Sequence, residues 1–332
     1  MRADLINGLL LATALVLAML GALRQESEAV VSPTNIIAAG PPDAEDATEI
    51  EDARGRAVPV ADYKRIASLN TVGDHLLLHL VEPERIVSVT GHTLQSHPEG
   101  WRFGDRPGIA RSDQLEQLFA VRPDLVLASK FADEALLERV RERGIVVFDL
   151  GEMRGVATTL ANIGALGALL GQRERAKTLE RAFLRDLAAL DAAVPDAEMP
   201  PGIYLSVYGD AFFGGTDGSS YADMLHYGGV RDLAPEHGFR EWPRYSPEQL
   251  LTIAPPLIVT QEGMGTLICG HSLLSDLPAC GPEGQILEVP GEYHSDPGLG
   301  LVEGAAGILT LLHPDAAPRT APRTVPGGSA PP

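Results

Sequence analysis

Residues Trp242 to Thr260 read WPRYSPEQLLTIAPPLIVT, and a stretch of the same order stands earlier, at Arg111 to Ser129: RSDQLEQLFAVRPDLVLAS. With Glu248 laid over Glu116, Gln249 falls on Gln117, Leu250 on Leu118 and Ile253 on Val121. Pro255 then meets Pro123, Leu257 meets Leu125 and Ile258 meets Val126. Each copy opens on a polar capping residue, Ser112 or Asp113 in one and Ser246 in the other. Apolar residues follow at helical spacing, Leu115, Leu118 and Phe119 against Leu250, Leu251 and Ile253. A proline ends each helix, because its ring cannot continue the hydrogen-bond ladder. DLVLA and PLIVT are then apolar on both faces, as a buried parallel strand is. Each copy therefore predicts a short helix feeding a strand. Either two α/β units share a common grammar, or two related lobes make up one protein.

The rest of the chain favours two lobes. Its 332 residues suffice for two cores, and 45% hydrophobic content excludes a disordered chain. A net charge of -19 argues against nucleic acid and against an anionic membrane surface as partners. Arg2 precedes the apolar run Leu9 to Leu23, and Ser27 to Ala29 offers small residues where a signal peptidase reads. Residues 1–29 are thus expected to be a secretory signal or an uncleaved N-terminal anchor. No cysteine follows the run, so no lipid anchor is expected. Residues 30–61 are acidic and rich in Pro and Ala, and predict a flexible tether. The Pro-rich stretch 314–332 predicts a disordered tail.

Between them, RIASL, RIVSVT, DLVLAS and IVVFDL predict four strands separated by helices, an N-terminal α/β lobe over 62–152. Thr71 with Asp74 three residues on resembles a capping box, and Gly144 suits a helix C-terminus. A helical segment over 153–198 follows. It includes Gln172 to Ala193, free of Gly and Pro, which would span about 33 Å as a rigid spacer or an ordinary surface helix. GIYLSVYG, the repeated unit and GQILEVP then predict a C-terminal α/β lobe over 199–313. The fold class is α/β: two Rossmann-like lobes joined by one long backbone helix, with a cleft between them. The two cysteines, Cys269 and Cys280, either pair in an oxidising compartment or stay as buried thiols.

Taken in this order, RIASLNTVGDHLLLHL, RIVSVT, LEQLFAVRPDLVLAS, IVVFDL, the long helix, GGVRDL and WPRYSPEQLLTIAPPLIVT resemble the periplasmic substrate-binding proteins of ABC importers, in the iron-siderophore, haem and vitamin B12 class. The resemblance covers about Lys64 to His313. It implies a solute receptor rather than an enzyme, with no cofactor of its own, exported to the periplasm and monomeric. Its ligand would be an iron or cobalt chelate: a ferric siderophore first, cobalamin or haem next. Its partner would be the membrane permease, whose arginines meet a glutamate on each lobe; the matching residues are Glu116 and Glu248. A carboxylate near a helix start is also favourable in its own right.

Clefts in such folds are lined by the loops that follow the strands. On the first lobe these carry Asn70, Thr71, His97, Trp101 and Lys130. On the second they carry Tyr208, Phe212, Phe213, Trp242, Arg244, Tyr293, His294 and Asp296. Trp242 is the leading candidate: WPRYS resembles the WPxxS stretch of vitamin B12 receptors, and an indole covers an apolar ligand face at little entropic cost. Arg244 offers bidentate bonds to a carboxylate or phosphate. His97 stands where the family often has tyrosine. It could ligate iron, or join His294 and Asp296 in a zinc or manganese site. An enzyme is disfavoured: GGTDGSS lacks the lysine of a phosphate-binding loop and the spacing of a nucleophile elbow.

Overall fold

A computed structural model describes residues 47–97, 99–109, 115–195, 199–291 and 297–315. The expected signal or anchor, and the tail beyond 315, lie outside them. Chain order runs β1 (Glu49–Glu51), β2 (Ala57–Pro59), β3 (Ile66–Ser68), α1 (Thr71–Leu80), β4 (Ile86–Thr90), α2 (Gly91–Ser96), β5 (Gly108–Ile109), α3 (Leu115–Ala120), β6 (Leu125–Ala128), α4 (Glu134–Glu142) and β7 (Val146–Asp149). Strands β3 to β7 form one sheet in the order β5-β4-β3-β6-β7, every pair parallel. Helices α5 (Val156–Leu169) and α6 (Arg173–Ala193) follow. The second lobe comprises β8 (Pro201–Tyr208), β9 (Ala211–Gly214), α7 (Ser220–Tyr227), β10 (Arg231–Asp232), β11 (Arg244–Tyr245), α8 (Pro247–Ile253), β12 (Leu257–Gln261), α9 (Met264–Gly270), β13 (Gln285–Val289) and α10 (Leu301–Leu312). Its sheet runs β11-β9-β8-β12-β13, with β10 beside β8.

The repeated stretch is α3–β6 in one lobe and α8–β12 in the other. Each strand lies inside its sheet, β6 between β3 and β7, β12 between β8 and β13. That explains their apolar runs: all four residues of β6 are buried. Ser246 caps α8 through a full capping box with Gln249. Ser112 and Asp113, its counterparts, lie outside the described residues.

Helix α6 joins the lobes. Ala176, Leu179, Phe183, Leu187 and Leu190 recur at helical spacing and are buried. They pack on α1 and α5 to one side and on α7 and α10 to the other. A single apolar core therefore runs from Val58 in the first lobe through α6 to Leu309 in the second. Each such fully buried side chain contributes roughly 1.5–3 kcal/mol. Arg175 fastens the helix to the first lobe, donating to the Leu80 carbonyl at 3.3 Å and pairing with Glu82 at 2.5 Å.

Two expectations are corrected. The described part of the expected tether, residues 47–61, is a β-hairpin, with β1 and β2 antiparallel. Its turn is closed by Asp52, which accepts from the N–H groups of Arg54 and Arg56. Arg54 then reaches the buried Asp149 and Glu134 of the first lobe. Nor does Thr71 cap α1. Asn70 does, accepting from the Gly73 N–H at 2.8 Å. Asp74 is fully buried instead, accepting from the Thr90 N–H at 3.0 Å and from the Thr90 and Thr93 hydroxyls at 2.6 and 2.7 Å.

Cys269 and Cys280 form a disulfide with Cα atoms 5.5 Å apart, tying α9 to the turn before β13. Among the described residues no helix is long and apolar enough to cross a membrane.

Candidate ligand cleft

Strand register builds the wall of the second lobe. Along β8, Tyr204, Ser206 and Tyr208 project to one face. Phe213 of β9 pairs with Ser206, and Arg244 of β11 pairs with Phe213, so all three share a cross-strand row. The neighbouring row, Val207, Phe212 and Tyr245, turns the other way into a second core with Leu250 and Ile258. Tyr204, Ser206, Tyr208, Phe213, Gly214, Tyr221 and Trp242 enclose a pocket of about 300 Å³. Of the two phenylalanines expected in the cleft, Phe212 is a core residue, 3% exposed, and only Phe213 faces the pocket.

The wall is rigid. Tyr204 and Tyr221 stack at 3.9 Å between ring centroids, and Trp242 meets Tyr221 edge-on at 5.3 Å. Burial pushes the phenols of Tyr204 and Tyr221 well up, so neither supplies a phenolate at neutral pH. Tyr208 is 80% exposed and Trp242 38%. The Arg244 guanidinium lies 5.9 Å from the Phe213 ring centroid, and no described carboxylate pairs with it.

The first-lobe residues expected at the cleft follow its parallel strands, and none of them lines the second-lobe pocket. Asn70 and Thr71 follow β3, but the Asn70 carbonyl oxygen is occupied by its capping bond. Lys130 follows β6 and is paired with Glu152 at 2.6 Å. Phe131, overlooked in the sequence reading, is 76% exposed beside it, and Trp101 is 45% exposed. The signal for Phe131 was its place directly after the third predicted strand. His97 is half-buried. Its ring packs on that of His75 at 3.7 Å between centroids, and its Nδ1 accepts from the Glu99 N–H at 3.1 Å. Tyr293, His294 and Asp296 lie outside the described residues. Among the described residues no group of three metal-ligating side chains converges.

The lobes meet where β7 leads into α5. Arg154 pairs with Glu152 at 3.0 Å and with Glu241 of the second lobe at 3.0 Å. Two residues on, the Val156 N–H donates to Asp223 of α7 at 2.7 Å. Gly155 between them has φ +105, and a Cβ there would lie 2.0 Å from the Asp223 carboxylate. None of these residues was anticipated from the sequence.

Two α/β lobes share one helix, the second carrying an aromatic wall, and the sequence itself matches a known family. A model for periplasmic binding proteins matches residues 66–268. The chain belongs to that family. Its members are binding proteins rather than enzymes, and they serve as the substrate-binding component of ABC transporters. Family membership implies a periplasmic or extracellular location.

This periplasmic binding protein is 22% identical to a cobalamin-binding protein of Halobacterium salinarum, over 70% of each chain. Among solved structures it is similar to a possible iron-binding periplasmic solute-binding protein from Staphylococcus epidermidis, with TM-score 0.65 and 19% identity, covering 76% of this chain and 100% of that one. It is also similar to a periplasmic haem-binding protein from Roseiflexus sp. RS-1, with TM-score 0.63 and 21% identity, covering 77% and 99%. Glu116 and Glu248 are both exposed in the first turns of α3 and α8. The Ser246 hydroxyl and the Glu248 backbone N–H hold the Glu248 carboxyl below its usual range.

Proposed function

We propose that the protein captures a flat metal chelate of the corrinoid type and delivers it to an ABC permease. The observation that carries this reading is the single cross-strand row ending in Arg244, set among Trp242, Phe213 and Tyr208. A macrocycle face can cover these rings, and the guanidinium can take one phosphate or carboxylate. The charge balance orders the candidates. Lys130 and Arg154 are already paired with Glu152. Arg244 therefore remains to meet the ligand, which suits a corrinoid with one phosphodiester better than a multiply anionic ferric catecholate. The similarity to a cobalamin-binding protein supports the same order. Haem is the second reading, supported by the exposed Tyr208 phenol as a ligand to ferric iron.

Delivery follows from the repeat. Glu116 and Glu248 open equivalent helices, one on each lobe, and present a carboxylate apiece to basic residues of the permease.

The test is a calorimetric titration of the purified protein with cobalamin, haem, hydroxamate and catecholate ferric siderophores, and zinc. Cobalamin is expected to saturate one site, and Trp242→Ala to weaken it by about 30-fold or more, as for a central aromatic anchor. Binding of zinc alone, or affinity unchanged in Trp242→Ala, would overturn the reading.

A further inference from the structure

We infer that Arg154, in the loop by which the first lobe's last strand leads into α5, positions the ligand-binding tryptophan of the second lobe. The inference rests on the reading of Trp242 as a wall of the cleft. Glu241 immediately precedes Trp242 and adopts φ +56, a left-handed backbone uncommon for a residue with a side chain. Its backbone is fixed from within its own lobe: its N–H donates to the Asp217 carbonyl at 2.7 Å, and its carbonyl accepts from the Thr216 N–H at 3.0 Å. Its side chain points instead across the cleft. There Arg154 grips it with one guanidinium nitrogen while another holds Glu152.

Glu152 is the anchor of this chain of charges. Its side chain is only 10% exposed, and it also binds Lys130. The Lys130 and Arg154 hydrogen bonds hold its carboxyl below the usual range, so it stays charged at neutral pH. Arg154 itself sits next to Gly155, where the main chain presses against Asp223 of the opposite lobe. Arg154 is thus held at its backbone and at one arm, and the other arm reaches the turn that carries Trp242. A planar guanidinium can bridge two carboxylates in this way; an ammonium on a flexible stem cannot hold the same fork.

The consequence is a directional one. With Glu241 held on Arg154, the next residue, Trp242, meets Tyr221 edge-on at 5.3 Å. Binding on the second lobe is therefore completed by a residue of the first.

The test uses the full chain in a Trp101→Phe background, where Trp242 is the only indole. Arg154→Ala and Glu241→Gln are each expected to raise acrylamide quenching of Trp242, and the double variant to raise it no further than either single one. Arg154→Lys should recover only part of the protection. Cobalamin dissociation should quicken about fivefold in Arg154→Ala, the scale of a partly exposed ion pair. Quenching of Trp242 unchanged in a folded Arg154→Ala protein, or quenching effects that simply add, would overturn the inference. The quenching measurement needs no ligand, so failure of every ligand to bind would refute the proposed function and leave the role of Arg154 to be decided by quenching alone.

Discussion

The two copies of the helix–strand unit sit in lobes whose sheets are built differently. The first lobe is five parallel strands. The second inserts β9 and β11, antiparallel to their neighbours, between the first strand of the lobe and its copy of the unit. The common part presents Glu116 and Glu248 in equivalent first turns. The inserted part presents Phe213, Trp242 and Arg244. On the proposed function, the duplicated architecture serves docking, which both lobes share, and the local departure from it serves ligand binding, which one lobe carries.

Three measurements would break or sharpen that division. The largest effect is expected from Glu116→Arg with Glu248→Arg, which should abolish uptake by cells while calorimetry finds ligand affinity unchanged. Uptake that survives the double change would detach the repeat from docking. Next comes the pair of adjacent phenylalanines. Phe212→Ala should cost about 3–5 kcal/mol in urea denaturation, since it empties a buried site. Phe213→Ala should cost under about 1 kcal/mol and weaken ligand binding instead. Equal stability losses would mean that the two rows of the antiparallel insertion do not divide core from cleft.

The smallest effect concerns the first lobe alone. Burial pushes the Asp74 carboxyl up to about 6 against the pull of the Thr90 and Thr93 hydrogen bonds. In the unfolded chain it titrates near the ordinary value of about 4. The folded chain therefore holds an extra proton between those limits, and its stability falls as pH rises through them. Relative to Asp74→Asn, the protein should lose roughly 2–3 kcal/mol between pH 4 and pH 7. Parallel pH profiles of the two proteins in denaturant titrations would contradict this.

What the sequence made legible follows the range of the forces involved. Central strands and long helices were readable because their patterns are local: LVLA, LIVT and the face of α6 each state their burial in consecutive residues. The hairpin at Glu49–Pro59 was not, because Arg54 finds its partners at Asp149 and Glu134, 95 and 80 positions on. Asp74 followed Thr71 at the spacing of a capping box, yet Asn70, one residue before Thr71, took the cap, and Thr90 and Thr93 claimed the Asp74 carboxylate. On the second lobe, Trp242, Arg244 and Tyr208 were expected in loops after strands, whereas Tyr208 ends β8 and Arg244 opens β11. Phe212 and Phe213 could not be told apart, because their facing is set by cross-strand register with β8 and β11. Arg154 was invisible for the same reason: its partner Glu241 belongs to the other lobe.

The shared core along α6 has a further consequence. Because Phe183 and its neighbours belong at once to both lobes, neither lobe can melt and leave the other intact. The protein should unfold in one cooperative transition despite its two sheets. Whatever occupies the wall of one lobe therefore raises the melting temperature of the entire molecule. The fold is in effect its own thermometer for ligand, readable without label or chromophore.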